Sequence, residues 1–276
     1  MFPIIIDFGT WNLPLLGETP IFLPTYGLLF VISLMAAWWW FMRRARGMGL
    51  PEETLFNLLF YTVLAGILGA KLLLILLDLR MYVTNPALIL GTLRTAGVLI
   101  GGVIAGGVVF VLYSRRQGLP TRRLADVLAA PLALAQGIGR LGCYSAGCCW
   151  GVPIHEHHPL AVTFTDPRAL AQTGVPLYTP LVATQLLQAG ADVALAVVLA
   201  VLWRRRPEPP GTVAWVYVLL YSLSRGIVEF WRGDIARGLY FGDRISTSQL
   251  LALGGAVLAA VMLLRGWLRQ RHTSAA

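Results

Sequence analysis

The sequence predicts an all-α integral membrane protein of seven transmembrane helices, with the N-terminus outside, the C-terminus cytoplasmic and a small outer-side loop region. Composition is the first observation behind this. Hydrophobic residues make up 57% of the 276 and charged residues only 13%, about half the charged share of an ordinary soluble domain. So few charges cannot cover a soluble globule, and a mean hydropathy of +0.70 agrees. The second observation is a series of seven apolar stretches, each near the ~20 residues needed to cross a hydrocarbon core. The third is where the basic residues fall. A net charge of +9 and a pI of about 10.0 would point to a nucleic-acid partner in a soluble chain. Here the placement of the charges matters more than their sum, and no nucleic-acid partner is expected.

In order, the spans read as Phe22 to Met42, Leu55 to Leu77, Gly97 to Tyr113, Leu124 to Leu141, Leu181 to Trp203, Val213 to Trp231 and Ser246 to Leu264. The fourth carries Asp126, Pro131, Gln136 and Arg140, and in a soluble protein it would read as an amphipathic surface helix. Basic clusters follow the first, third, fifth and seventh spans: Arg43, Arg44 and Arg46; Arg115, Arg116, Arg122 and Arg123; Arg204, Arg205 and Arg206; Arg265, Arg269 and Arg271. These are 13 of the 22 basic residues. Arg80, Arg94, Arg168, Arg232, Arg237 and Arg244 fall on the opposite side, and Lys71, Arg140 and Arg225 lie within spans. The positive-inside rule then sets the orientation. Only an odd number of spans permits it, so the fourth is counted. Met1 to Pro20 has no basic residue ahead of its apolar run and reads as an exposed or interfacial arm, not a cleavable signal. The whole chain, residues 1–276, reads as one polytopic domain with an outer-side loop region at 142–180.

A charge at mid-bilayer costs at least about 2.5 kcal/mol, so each needs a reason to be there. Ser222, Arg225, Glu229 and Arg232 share one face of the sixth span, and Ala133, Gln136 and Arg140 one face of the fourth. Gln185, Gln188 and Asp192 do the same in the fifth, and Asn57, Tyr61 and Lys71 in the second. Four such stripes imply a shared polar interior. Arg225 can pair with Glu229 at i, i+4. Two guanidiniums with a single nearby carboxylate leave room for an anion, and the planar arginine fork suits a phospholipid phosphate. In the third span Gly97, Gly101, Gly102, Gly106 and Gly107 form small-xxx-small patterns that allow close helix packing.

The glycine-rich segment 137–151 predicts a backbone that turns away from helix and approaches a ligand closely. It holds all three cysteines, Cys143, Cys148 and Cys149, and is followed by His155, His157 and His158. These six side chains could bind zinc or copper, although Cys-x4-Cys-Cys is not a standard zinc spacing. A disulfide from Cys143 to Cys148 or Cys149 is the favoured alternative on an oxidising outer face, and small apolar packing is a third reading. No metal or cofactor is expected.

The run Gly139-Arg-Leu-Gly-Cys-Tyr-Ser-Ala-Gly-Cys-Cys-Trp-Gly151 resembles the signature of the prolipoprotein diacylglyceryl transferase family. The likeness extends to Tyr26-Gly27, to Gly101-Gly102, to Arg225 with Val228-Glu229-Phe230 and Arg232, and to Ser248-Gln249. The resemblance implies seven spans in a bacterial cytoplasmic (inner) membrane. It also implies transfer of diacylglyceryl from phosphatidylglycerol to the thiol of a lipobox cysteine in a prolipoprotein signal peptide, with release of glycerol phosphate. It makes Arg140, Arg225 and Glu229 the catalytic candidates. Arg140, Gly139, Gly142, Tyr26 and Arg232 become the phospholipid-binding candidates.

Three positions depart from the family pattern. The histidine before the paired glycines is Ile100 here, and an asparagine and a glutamate of the signature are Cys143 and Cys148. The acceptor's own thiolate, or His155, Cys148 or Glu229, would then replace the missing base. A thiolate beside arginines needs no strong base. Two alternatives stand beside the family reaction: a same-fold transferase with another acceptor that uses Cys148 or Cys149 covalently, and a non-enzymatic metal or redox protein built on the Cys and His cluster.

Overall fold

The structure, a computed structural model, describes residues 3–13, 17–86, 88–92, 97–205, 207–234, 238–240 and 245–274. Arg94, Arg206, Arg237 and Arg244, counted above, lie outside the described residues. Among the described residues, seven helices are long and apolar enough to cross a membrane. They are α1 (Thr25–Ala45), α2 (Glu52–Leu77), α5 (Leu99–Arg116), α6 (Thr121–Ala146), α8 (Thr184–Arg204), α9 (Thr212–Val228) and α10 (Thr247–Ser274). Two short helices, α3 (Leu79–Thr84) and α4 (Leu88–Gly91), lie between the second and third spans, and α7 (Pro167–Thr173) lies in the loop region. The spans leave large aliphatic side chains exposed, among them Leu72, Val103, Val197 and Leu253. Because a helix pairs most of its backbone groups internally, that is a surface suited to lipid.

The chain forms two compact units: residues 1–39 with 125–276, and residues 40–124. In the smaller one, α2 packs on α5 through glycines. A Cβ on Gly102 would lie 2.7 Å from the Gly66 carbonyl oxygen, so these helices touch backbone to backbone, as the small-residue pattern predicts. Lys71 is held within this unit, its Nζ donating to the Thr92 carbonyl at 2.6 Å.

The larger unit opens with an antiparallel hairpin of β1 (Ile4–Leu13) and β2 (Gly17–Pro24), in which Asp7 faces Phe22. The first span therefore begins at Thr25, because Phe22 is still in a strand. The hairpin exposes Ile5, Ile6, Phe8 and Trp11, an apolar set with the indole favoured at a membrane interface. The loop region holds β3 (Ala161–Thr163) antiparallel to β4 (Pro180–Val182), with α7 capped by Asp166, whose carboxylate accepts from the Arg168 N–H at 2.8 Å. Phe164, Ala169, Val175 and Leu181 bury one another in its small core. A last pair, β5 (Leu239–Tyr240) and β6 (Ile245–Ser246), precedes α10.

The fourth span is longer at both ends than the sequence predicts, and it is not a surface helix. Leu124, Val127, Ala130 and Ala133 are buried, and so is Asp126. Asp126 accepts from the backbone N–H groups of Gly211 (2.7 Å) and Ala214 (2.9 Å), so it caps the start of α9. The charge that made this span doubtful on composition is a fastener between α6 and α9.

Candidate active site

The glycines at 137, 139 and 142 do not break the helix, contrary to the expectation from composition. α6 continues to Ala146, and two of these glycines instead admit neighbours. A Cβ on Gly137 would lie 2.9 Å from Val193 Cγ2 of α8, and one on Gly142 would lie 3.1 Å from Tyr26 Cδ2 of α1. Gly139 has open space where its side chain would be.

The turn comes at Gly147, whose φ is +77°. Its N–H reaches the Tyr144 carbonyl at 3.3 Å, and the Cys148 N–H reaches the Cys143 carbonyl at 3.1 Å. This pair of bonds is the Schellman end of a helix, which brings together the residues on either side of the turn. Here those residues are Cys143 and Cys148. Cys149 follows with φ +59°, a left-handed conformation that costs a side-chain-bearing residue on the order of 1–3 kcal/mol. Two residues of α8 hold it: Thr184 Oγ1 donates to the Cys149 carbonyl at 2.6 Å, and Gln185 Nε2 to the Cys148 carbonyl at 2.8 Å.

The chain then runs between two neighbours. Val152 N–H bonds the Trp231 carbonyl at 2.8 Å and Gly233 N–H the Trp150 carbonyl at 3.0 Å, while Val182 N–H bonds the Val152 carbonyl at 3.0 Å. This short ladder sets Arg232, just past the end of α9, beside the cysteine turn.

A pocket opens among these elements, lined by Arg140, Cys149, Gln185, Gln188, Arg225 and Arg232 among others. Arg225 Nη2 pairs with Glu229 Oε2 at 2.6 Å and donates to Ser248 Oγ at 3.0 Å. Arg232 reaches the same Glu229 oxygen at 3.5 Å and also pairs with Asp234. Burial opposes the Arg232 charge, but Asp234, Cys149 and Glu229 more than offset it and hold its pKa above the ordinary value. Arg140 differs: Nη1 lies 3.9 Å from Cys149 Sγ, and among the described residues it has no carboxylate partner. Gln188 Nε2 bonds Asp192 Oδ1 at 2.8 Å, and Gln136 accepts from Tyr217 OH at 2.8 Å. The buried Oε1 atoms of Gln185, Gln188 and Glu229 have no hydrogen-bond partner.

Three of the four polar stripes, those of α6, α8 and α9, thus meet in the larger unit. Of the ten candidate site residues, Arg140, Arg225, Arg232 and Cys149 line the pocket. Glu229 lies behind two of the arginines, Gly142 packs on Tyr26, and Gly139 faces open space. Thr184 was not singled out in the sequence, and nothing in its spacing marks it as a support for the cysteine turn.

The cysteines are free, so the disulfide that the sequence left open beside metal binding and apolar packing is not formed, and the Cys148 thiol turns to the Cys143 carbonyl at 3.6 Å. The three sulfurs lie within 4.8 Å of one another. Hydrogen bonds from Cys143 and Cys148 pull the Cys149 thiol below its ordinary pKa, with Arg232 and Arg140 adding to the effect against burial. The same contacts and burial push Cys148 up. His155, His157 and His158 are exposed and not part of this group. The six-residue Cys and His cluster considered from sequence does not form, and neither His155 nor Glu229 lines the pocket.

Comparison with known proteins agrees with the motif. The family model described as prolipoprotein diacylglyceryl transferase matches residues 15–265. A phosphatidylglycerol-prolipoprotein diacylglyceryl transferase from Clostridium tetani is 35% identical over 229 residues, covering 83% of this chain and 87% of its own. A second protein of that name, from Clostridium perfringens, is 33% identical over 246 residues, covering 88% and 92%. One from Azotobacter vinelandii is 33% identical over 247 residues, covering 85% and 88%. With nearly its full length matched and the signature arginine lining the pocket, the chain belongs to the prolipoprotein diacylglyceryl transferase family.

Proposed function

We propose that this protein is a membrane transferase that moves the diacylglyceryl group of phosphatidylglycerol to the thiol of a prolipoprotein lipobox cysteine and releases glycerol phosphate. The names of its relatives support the two substrates. The seven apolar helices support a multi-pass place in the bacterial inner membrane. The distribution of arginines supports an outward N-terminus and a cytoplasmic C-terminus.

The observation that carries the reading is Arg140. It is a guanidinium lining a pocket shared with Arg225 and Arg232, and no carboxylate among the described residues forms an ion pair with it, Asp192 acting on it only from farther off. A phosphodiester supplies the missing charge and matches the planar fork. Arg140 clamps the phosphate. Arg225 is held by Glu229 and Ser248 and meets the charge that grows on the departing phosphate oxygen, as Arg232 does. The acceptor thiolate attacks the glyceryl carbon, the carbon–oxygen bond breaks, and its electron pair stays on the phosphate. Charge stabilisation of this kind is usually the largest catalytic contribution, and holding lipid and thiol together adds to it. The unpartnered amide oxygens of Gln185 and Gln188 are acceptors for the hydroxyls of the glycerol head group.

Proteoliposomes of purified protein with phosphatidylglycerol and a lipobox peptide test this. Mass spectrometry is expected to find the peptide carrying a thioether-linked diacylglyceryl group, and a peptide with serine at the acceptor position is expected to stay unmodified. An unmodified cysteine peptide overturns the reading.

A further inference from the structure

The acceptor thiol must become a thiolate to attack carbon, and the described residues that line the pocket include no histidine, lysine or carboxylate to take its proton. A single base would need one thiol, yet the fold gathers three. The Schellman turn joins Cys143 to Cys148, the left-handed backbone at Cys149 is held by Thr184, and the three sulfurs come within 4.8 Å of one another.

We propose that Cys143, Cys148 and Cys149 form a site for a thiophilic divalent cation, zinc by preference, which binds the acceptor cysteine as its fourth ligand and delivers it as a thiolate. Three thiolates around a tetrahedral zinc at ~2.3 Å stand about 3.8 Å apart, so closing the trio onto the ion takes movements of about 1 Å or less per pair. Three protein ligands with one open position is the pattern of catalytic zinc, and a coordinating thiol is deprotonated outright. Three thiolates and one dication leave a single net negative charge, at the edge of a pocket lined by three arginines, Arg140, Arg225 and Arg232. Because Cys149 also lines the arginine pocket, the ion borders the place where the phosphate is clamped.

On binding, the acceptor thiol loses its proton to water. The metal-bound sulfur donates an electron pair to the glyceryl carbon, the carbon–oxygen bond breaks, and its pair leaves with glycerol phosphate. The product thioether is a weaker ligand than a thiolate and departs. The proposal rests on the reading of the acceptor as a cysteine thiol, but metal binding is measured without any transfer.

Cobalt(II) is the probe, added to the full-length protein purified reduced and metal-free in detergent. A thiolate-to-cobalt charge-transfer band at about one ion per chain is expected, displaced by zinc. Single Cys143→Ser, Cys148→Ser and Cys149→Ser variants are expected to weaken binding at least tenfold, while replacing His155, His157 and His158 by alanine leaves it unchanged. A lipobox peptide with cysteine, but not one with serine, is expected to shift the band. Absence of the band, or a band that survives all three cysteine substitutions, overturns the proposal. Undiminished lipidation by metal-free protein also overturns it while leaving the transferase reading intact. Cobalt binding without lipidation in the zinc-loaded protein would sink the transferase reading instead.

Discussion

Arg225 and Glu229, one helical turn apart at the end of α9, form an ion pair of 2.6 Å in which the carboxylate side chain is 1% exposed and the guanidinium 11%. Arg232 shares the same oxygen at 3.5 Å. Replacing Glu229 by alanine leaves two cations with little water to solvate them, and breaking a buried pair from one side costs about 3–5 kcal/mol. Glu229→Ala is expected to lower stability by that order in chemical denaturation in detergent and to abolish lipidation. A variant as stable as the parent would mean that the pair does not organise the site.

Arg140 lies outside this network, and its substitution separates function from stability. Arg140→Ala is expected to reduce kcat by roughly 10²-fold or more, the scale of losing one charge-stabilising donor, with little change in unfolding. Arg140→Lys restores charge without the two-pronged geometry and is expected to recover only part of the rate. Steady-state kinetics on the two variants checks both.

Gln188 is 2% exposed and its Oε1 has no partner. If that oxygen accepts from a head-group hydroxyl, Gln188→Leu removes one net hydrogen bond of about 0.5–1.5 kcal/mol. KM for phosphatidylglycerol is expected to rise about 2- to 10-fold, by the same energy, with kcat changed less. A lower kcat at unaltered KM would assign Gln188 to the reacting centre instead.

Spans and arginines were legible in the sequence because each rests on a strong local rule. Apolar length marks a span, and a charge within one demands a partner. Polar residues at three- and four-residue spacing on the fourth, fifth and sixth spans were therefore enough to expect a common interior. The second span shows the limit of that reasoning: its Lys71 is satisfied by the Thr92 carbonyl, a partner that no periodicity reveals. The glycines were misread for a related reason. Composition alone cannot distinguish a glycine that bends the chain, such as Gly147, from one that lets a neighbour approach a continuous helix, such as Gly137. Asp126 was equally opaque, because its partners are backbone amides 85 and 88 residues away.

The capping role of Asp126 predicts a purely structural phenotype. Asp126→Ala strips two N–H groups at the start of α9 of their acceptor. The loss of a cap costs about 0.5–2 kcal/mol. Unfolding is expected to become easier by that amount, and Asp126→Asn, which keeps a side-chain oxygen, is expected to recover part of it.

Gly139 and Gly147 invert the usual expectation that neighbouring glycines respond alike. At Gly139 the backbone is helical and a Cβ would meet nothing within 4 Å, so alanine removes the helix penalty of glycine and is expected to stabilise by about 0.5–1 kcal/mol. At Gly147 the φ of +77° and a Cβ position 3.0 Å from Ala169 make alanine strained, with a conformational cost of about 1–2 kcal/mol. The two variants should therefore move in opposite directions in one denaturation series. Activity should not follow stability, because the family resemblance makes Gly139 a phospholipid-binding candidate. A methyl group there intrudes where the lipid is proposed to lie, so Gly139→Ala is expected to be the more stable protein and the slower enzyme. A Gly139→Ala variant with unaltered KM and kcat would remove Gly139 from the lipid site and leave its glycine unexplained.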